Sequence, residues 1–299
     1  MGETTINEVI EGIREGSVVP YLGAGALKGS VHTKTGDPIP ADSDSLILAM
    51  NNGQPMAPRL MYEFPRAAMS VELKRGRSAV NRFLDATYGQ ESWSRAPLHD
   101  WLASIKPNYV VDINRDTQLQ ESYADRPHTL VRGISRIAGT DYRFRIHHYD
   151  GSSYSAKEID QSEVDTSLPI LFKPMGSPLP DATYIASDAD YVDYISELMG
   201  GFAIPSFLKT YRKDKQYLFI GLSMNRDTER MVMSDIIYSA GSPAGWALIP
   251  EPSDKERRFC KKMNIEIIEA DTEALLCAVG ALPALPNESE IQNAQDIGC

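Results

Sequence analysis

The run Ser17-Val-Val-Pro-Tyr-Leu22 ends in Gly23-Ala24-Gly25-Ala26, and this junction constrains the chain more than any other feature. A short apolar run bounded by glycine predicts a buried strand followed by a tight loop. Ahead of it, Ile6, Val9, Ile10 and Ile13 recur at helical spacing, and Gly16 marks the stop. The same kind of unit returns along the chain. Asn108–Ile113 precedes Asn114-Arg-Asp116, Leu168–Phe172 precedes Lys173-Pro-Met-Gly176, and Tyr217–Ile220 precedes Gly221-Leu-Ser223. Tyr142–Tyr149, Trp246–Ile249 and Ile265–Ile268 complete the predicted strands.

Helical patterns lie between them. Pro97–Ile105 carries Leu98, Trp101, Leu102 and Ile105 on one face, and Leu130, Val131, Ile134 and Ile137 predict another helix. Asp188–Met199, Met231–Tyr238, Glu256–Met263 and Thr272–Ala281 follow. This alternation predicts an α/β fold with a doubly wound, mostly parallel, Rossmann-like sheet covered on both faces. In such sheets ligands bind beyond the strands' C-terminal ends, so the loops after Leu22, Ile113, Phe172 and Ile220 share one rim. Ser45–Tyr88 is mostly helical but broken by Pro55, Pro58 and Pro65, which predicts a small helical insertion over about 45–95. We expect a Rossmann-like domain over 1–282 and a polar, irregular tail over 283–299.

Composition narrows the function classes. With 299 residues, 42% hydrophobic and 24% charged, the chain is of ordinary globular type. A net charge of −11 argues against broad contact with nucleic-acid phosphates. Three scattered cysteines, Cys260, Cys277 and Cys299, cannot form a four-cysteine zinc module, so no metal is expected. No stretch approaches the roughly 18–20 apolar residues of a membrane span, and the expectation is a cytoplasmic protein.

Gly23-Ala24-Gly25 is the first candidate for chemistry. Glycines let a backbone approach a diphosphate, whose oxygens successive N–H groups can bond. A dehydrogenase loop would open directly into a helix, whereas Lys28–Pro40 is rich in glycine and proline.

Four segments together resemble SIR2-like (sirtuin-related) domains. They are Val19-Pro-Tyr-Leu-Gly-Ala-Gly-Ala26, Pro97-Leu-His-Asp-Trp-Leu-Ala-Ser-Ile-Lys-Pro-Asn-Tyr-Val-Val-Asp-Ile-Asn-Arg-Asp116, Ile170-Leu-Phe-Lys-Pro-Met-Gly-Ser177 with Ser187-Asp-Ala-Asp-Tyr191, and Leu218-Phe-Ile-Gly-Leu-Ser-Met-Asn-Arg-Asp227. The resemblance is nearer to the bacterial NAD hydrolases of antiphage defence than to the protein deacetylases. It implies NAD or ADP-ribose as ligand or substrate, held at the strand ends without a metal. The loop Gly23, Ala24, Gly25 and Ala26 would hold the diphosphate. Asn114 would sit at the nicotinamide ribose as the main catalytic polar residue, with Asp116 bracing its loop. Gly176 would lie beside the catalytic turn, and Gly221 and Ser223 would border the adenosine side.

Two positions depart from the family's pattern. Asp112 stands where the family has threonine. Met175 stands where the family's general base, a histidine, precedes Gly176. Methionine exchanges no proton, and general acid–base help is typically worth 10²–10⁴-fold. His147 or His148, near the end of the predicted Tyr142–Tyr149 strand, is a possible replacement; the alternative is an ordinary packing histidine. His99 is expected as a structural donor, His32 as a loop residue within reach of ligand and His128 as solvent-facing. Arg66, Lys74, Arg75 and Arg77 form a basic cluster in the insertion, read as a solvated face.

Three functions stay open. The first is a nucleotide-binding or assembly subunit that has lost catalysis. The second is an active NAD glycohydrolase of an antiphage system, and the third a purely structural subunit. The resemblance also implies a homo-oligomer and a separately encoded partner protein.

Overall fold

The computed structural model describes residues 2–282, with side chains described from residue 6. The predicted tail 283–299, including Cys299, lies outside the described residues. The chain runs α1 (Gly2–Glu15), β1 (Val18–Leu22), α2 (Ser43–Met50), α3 (Phe64–Arg75), α4 (Arg77–Asp85), α5 (Pro97–Ile105), β2 (Tyr109–Asp112) and α6 (Gln118–Ser122). It continues β3 (His128–Gly133), β4 (Phe144–Tyr149), β5 (Ile170–Lys173), β6 (Gly176–Ser177), β7 (Thr183–Tyr184), α7 (Asp188–Gly200) and α8 (Ser206–Tyr211). It closes β8 (Gln216–Ile220), α9 (Asp227–Ile236), β9 (Gly245–Leu248), α10 (Asp254–Lys262), β10 (Ile265–Ile268) and α11 (Thr272–Ala278).

Eight strands form one sheet in the order β10-β9-β8-β1-β2-β5-β3-β4. All neighbours are parallel except β3 and β4. The fold is the expected doubly wound, Rossmann-like α/β sheet. The order reverses at β1: the chain builds outward through β2, then returns to β8 on the other side. Register places Leu22 beside Ile220 and beside Asp112, so three strand ends open on one crevice. That is the switch point at which such sheets bind ligands.

Alternation within β1 explains the two-sided burial. Val19 and Tyr21 join one apolar cluster with residues of α7, α8, α9 and α10. Val18 and Leu22 join a second with residues of α1, α5 and α11. Successive strand side chains point to opposite faces, so a strand buried on both sides becomes a continuous apolar run. The helices between β1 and β2 build a third cluster around Ile47, Phe64, Ala67, Val80 and Leu84, with Leu27 and Tyr184 packed into it.

The helix predicted over Leu130–Ile137 is instead strand β3. Leu130 packs in one face cluster and Val131 in the other, so their spacing mimics a helix while serving two sheet faces. His128 is therefore fully buried rather than solvent-facing. It stacks on Tyr149 and bonds the Tyr154 hydroxyl at 2.8 Å. Arg77 also departs from the expected solvated face. It bonds Asp190 at 2.5 Å and donates to the Tyr184 carbonyl at 3.2 Å, tying the insertion to α7 and the β6–β7 hairpin. Among the described residues, no helix is long and apolar enough to cross a membrane.

Candidate functional site

Close packing of glycines shapes the floor of the crevice. The Gly23 and Gly25 N–H groups donate to the carbonyls of Ile220 and Gly221, both at 2.9 Å. A Cβ on Gly25 would lie 2.7 Å from Gly221 Cα, and one on Gly221 (φ +67°) would lie 2.5 Å from Gly25 backbone. The glycines thus let the loops after β1 and β8 interlock. The Gly23 and Gly25 N–H groups are therefore already taken by protein carbonyls. Ala24 lines the cavity, and its N–H has no acceptor among the described residues.

Asn114 joins the β2 loop to this floor. Its Nδ2 donates to the Gly23 carbonyl and to Asp112 Oδ1, and its backbone N–H also donates to Asp112 Oδ1, all at 2.9 Å. Both amide hydrogens are used. Its Oδ1 has no partner among the described residues, and Asn114 lines the cavity. Asp112 is fully buried, and Lys173 Nζ on β5, equally buried, lies 2.5 Å from its Oδ2. Burial pushes the Asp112 carboxyl up, and the Lys173 ammonium offsets only part of that rise. Asp112 is thus accommodated by a cation on the next strand, and it anchors Asn114.

The cavity measures about 600 Å³, within the usual range of small-molecule sites, roughly 300–1,000 Å³. Gly23, Ala24, Gly25, Asn114, Gly221 and Ser223 all line it, with Leu46, Phe64 and Tyr88 from the insertion above. Ala26, Asp116, Met175 and Gly176 do not. Ala26 is buried beneath the loop. Asp116 accepts from the Gln118 N–H at 2.8 Å and so braces its own loop. Met175 is 3% exposed and sits in the apolar cluster of β5, α7 and α8. Gly176 (φ +84°) turns into the β6–β7 hairpin, where a Cβ would meet the Thr183 carbonyl at 2.0 Å.

None of the five histidines lines the cavity. His147 accepts from Arg132 at 3.0 Å on β4, the sheet's far edge. Burial and the Arg132 charge hold its pKa low. His148 lies on the same distant strand. His99 is buried, with both ring nitrogens unpartnered among the described residues, rather than acting as a donor. His32 bonds Glu91 at 2.9 Å. Ser223 lines the cavity without capping the following helix, whose N-cap is Arg226.

Sequence reasoning missed the charged residues of the wall, Arg115, Arg226 and Glu229 among them. Arg115 donates through Nε and Nη2 to the Ile185 carbonyl at 2.9 and 2.6 Å, leaving Nη1 without an acceptor among the described residues. Arg226 stacks over Tyr62 with its guanidinium carbon 4.9 Å from the ring centre. Glu229, in the first turn of α9, accepts no hydrogen bond among the described residues. Arg115 and Arg226 lie inside segments that carry the family resemblance, but their types are not part of its pattern.

The crevice and the sheet around it define a doubly wound α/β protein with a ligand-sized cavity at its switch point. A model of the SIR2-like domain family matches residues 109–268, more than half of the chain. The chain belongs to the SIR2-like domain family. The match spans Asn114, Met175 and Gly221, whereas Gly23-Ala24-Gly25 lies outside it. No curated protein matches the chain.

Proposed function

We propose that the cavity binds NAD or ADP-ribose and that the chain acts as a nucleotide-binding or assembly subunit rather than a histidine-dependent hydrolase. SIR2-like domains generally bind NAD, and one observation carries the reading further. Four donors with no partner among the described residues line one cavity: the Ala24 N–H, Arg115 Nη1, the Ser223 hydroxyl and the Arg226 guanidinium. Charge-assisted donors of this kind suit a diphosphate. Asn114 offers its free Oδ1 as an acceptor for a ribose hydroxyl.

A second reading, NAD glycohydrolysis in antiphage defence, draws support from that oriented Asn114. Against it stands Met175, an apolar side chain packed away from the cavity. Calorimetry with NAD and ADP-ribose tests binding, and chromatography of nicotinamide release tests turnover. Binding without release supports the first reading. Release abolished by Asn114→Ala supports the second, and no binding at millimolar concentration leaves a structural subunit.

The rest of the proposal concerns setting. A domain over 1–282, a homo-oligomer and a separately encoded partner protein accord with the resemblance, and cytoplasmic residence accords with the few scattered cysteines. Gel filtration with light scattering tests the oligomer.

A further inference from the structure

Seven ionisable side chains line the cavity: Lys28, Asp42, Asp44, Tyr88, Arg115, Arg226 and Glu229. Most already have a protein partner. Lys28 pairs with Glu273 at 3.2 Å, and Asp42 caps α2 through Ser45 N–H at 2.9 Å. Tyr88 donates to the Pro40 carbonyl at 2.5 Å, and Arg115 is held by Ile185. Asp44 is exposed in the first turn of α2. Glu229 is different: it is half-buried, faces the cavity and has neither a hydrogen bond nor an ion pair among the described residues. Its charged surroundings are Glu63 at the start of α3, Arg226 one turn before it and Arg115 from the β2 loop. Glu63 is itself buried with Oε1 unpartnered.

A half-buried carboxylate that lines a ligand-sized cavity and takes no donor from the protein is free to accept hydrogen bonds from a ligand. We propose that Glu229 is the specificity residue of this cavity: its carboxylate accepts hydrogen bonds from ribose hydroxyls of the bound dinucleotide and rejects a ligand carrying phosphate on such a hydroxyl. The inference rests on the nucleotide-binding reading above.

Proton linkage supplies a signature. Burial first, then the Glu63 charge, push the Glu229 carboxyl up to about 7, against the pull of Arg226 and Arg115. Hydrogen bonds to the charged form lower a carboxyl pKa. NAD affinity therefore rises as pH climbs through 7 and levels off above it. A phosphate near Glu229 acts in the opposite sense, so NADP affinity falls over the same range and the gap between the two ligands widens.

Calorimetry on the full chain at pH 6 and pH 8 tests this with NAD, ADP-ribose and NADP. We expect the wild type at pH 8 to favour NAD and ADP-ribose over NADP by roughly tenfold or more, the size of one unpaired like-charge contact at a partly buried site. Glu229→Gln should shrink that preference to within about threefold and flatten its pH dependence. Glu63→Gln should keep the preference but move its midpoint to lower pH. Retention of the effect with ADP-ribose assigns it to a ribose rather than to the cationic nicotinamide ring. An unchanged NAD-to-NADP ratio in Glu229→Gln, or NAD affinity that falls as pH rises, overturns the assignment. Failure of all three ligands to bind any variant overturns the nucleotide-binding reading and this inference with it. Binding of NAD with no preference over NADP overturns the inference alone.

Discussion

Two neighbouring strands, β2 and β5, end side by side, yet their loops have different fates. After β2 the chain turns towards the crevice: Asp112 fixes Asn114, and Asn114 reaches the glycine loop. After β5 it turns away: Met175 enters the apolar core, and Gly176 begins a hairpin. The two are linked by one contact, since Lys173 at the end of β5 neutralises Asp112 at the end of β2. The polar turn presents a cavity-facing acceptor, and the other supplies a charge and a hydrophobic plug. Two turns that leave neighbouring parallel strands can thus send one polar side chain to the cavity and one apolar side chain to the core.

The sharpest way to break this comparison is to cut the link. Asp112→Ala leaves Lys173 buried and unpaired and frees Asn114. Breaking one side of a buried pair typically costs about 3–5 kcal/mol, so urea unfolding should show a loss of that order together with lost NAD binding. A variant whose stability is unchanged would show that the pair carries no such weight. Met175→Ala comes next. Truncating a buried methionine removes packing worth about 2–5 kcal/mol, and the comparison requires that NAD affinity barely change, because Met175 is outside the cavity. Met175→His should destabilise the fold without releasing nicotinamide. Nicotinamide release by that variant would place the β5 turn at the reaction centre after all.

Asn114→Ala has a smaller effect on stability and a larger one on binding. It removes two side-chain hydrogen bonds, each worth about 1 kcal/mol net, and the only polar group that the β2 loop turns towards the ribose in our reading. Thermal unfolding and calorimetry on the same sample separate the two effects. Equal loss of stability and full retention of NAD binding would reduce Asn114 to a loop brace.

The fold was largely legible because its signals are local. Pro97–Ile105 forms the helix its apolar spacing predicts, with the same ends. The misreading at Leu130–Ile137 has a clear cause: a strand buried on both faces has no period of its own, and four apolar residues happened to fall at helical intervals. The site was legible only where backbone chemistry dictates the residue. Gly25 and Gly221 are fixed by loops too close for a Cβ. Glu229 was invisible because the predicted helix began at Met231, whereas α9 begins at Asp227. That shift of about one turn brings Glu229 to the cavity wall. Which way Met175 faces depends on packing against α7 and α8, which are distant in sequence.

The last effect concerns stability against pH, and it sets the cavity wall against the sheet core. The Glu229 carboxyl is raised from 4.5 to about 7, so the folded state keeps a proton that the unfolded chain releases between those values. Its contribution therefore favours folding as pH falls from 7 to 4.5 and disappears above 7. His128 behaves oppositely. Burial lowers its pKa from 6.5 to about 4, so the unfolded chain binds the extra proton and stability is lost as pH falls through that window. Urea titrations at pH 5, 6, 7 and 8 should find that Glu229→Gln stabilises the fold at pH 8 relative to wild type more than at pH 5. His128→Phe should reduce the acid-side loss instead. Parallel shifts in both variants would show that at least one group does not titrate in the sense its surroundings impose, and the contrast between a cavity-facing acid and a packed histidine would fail.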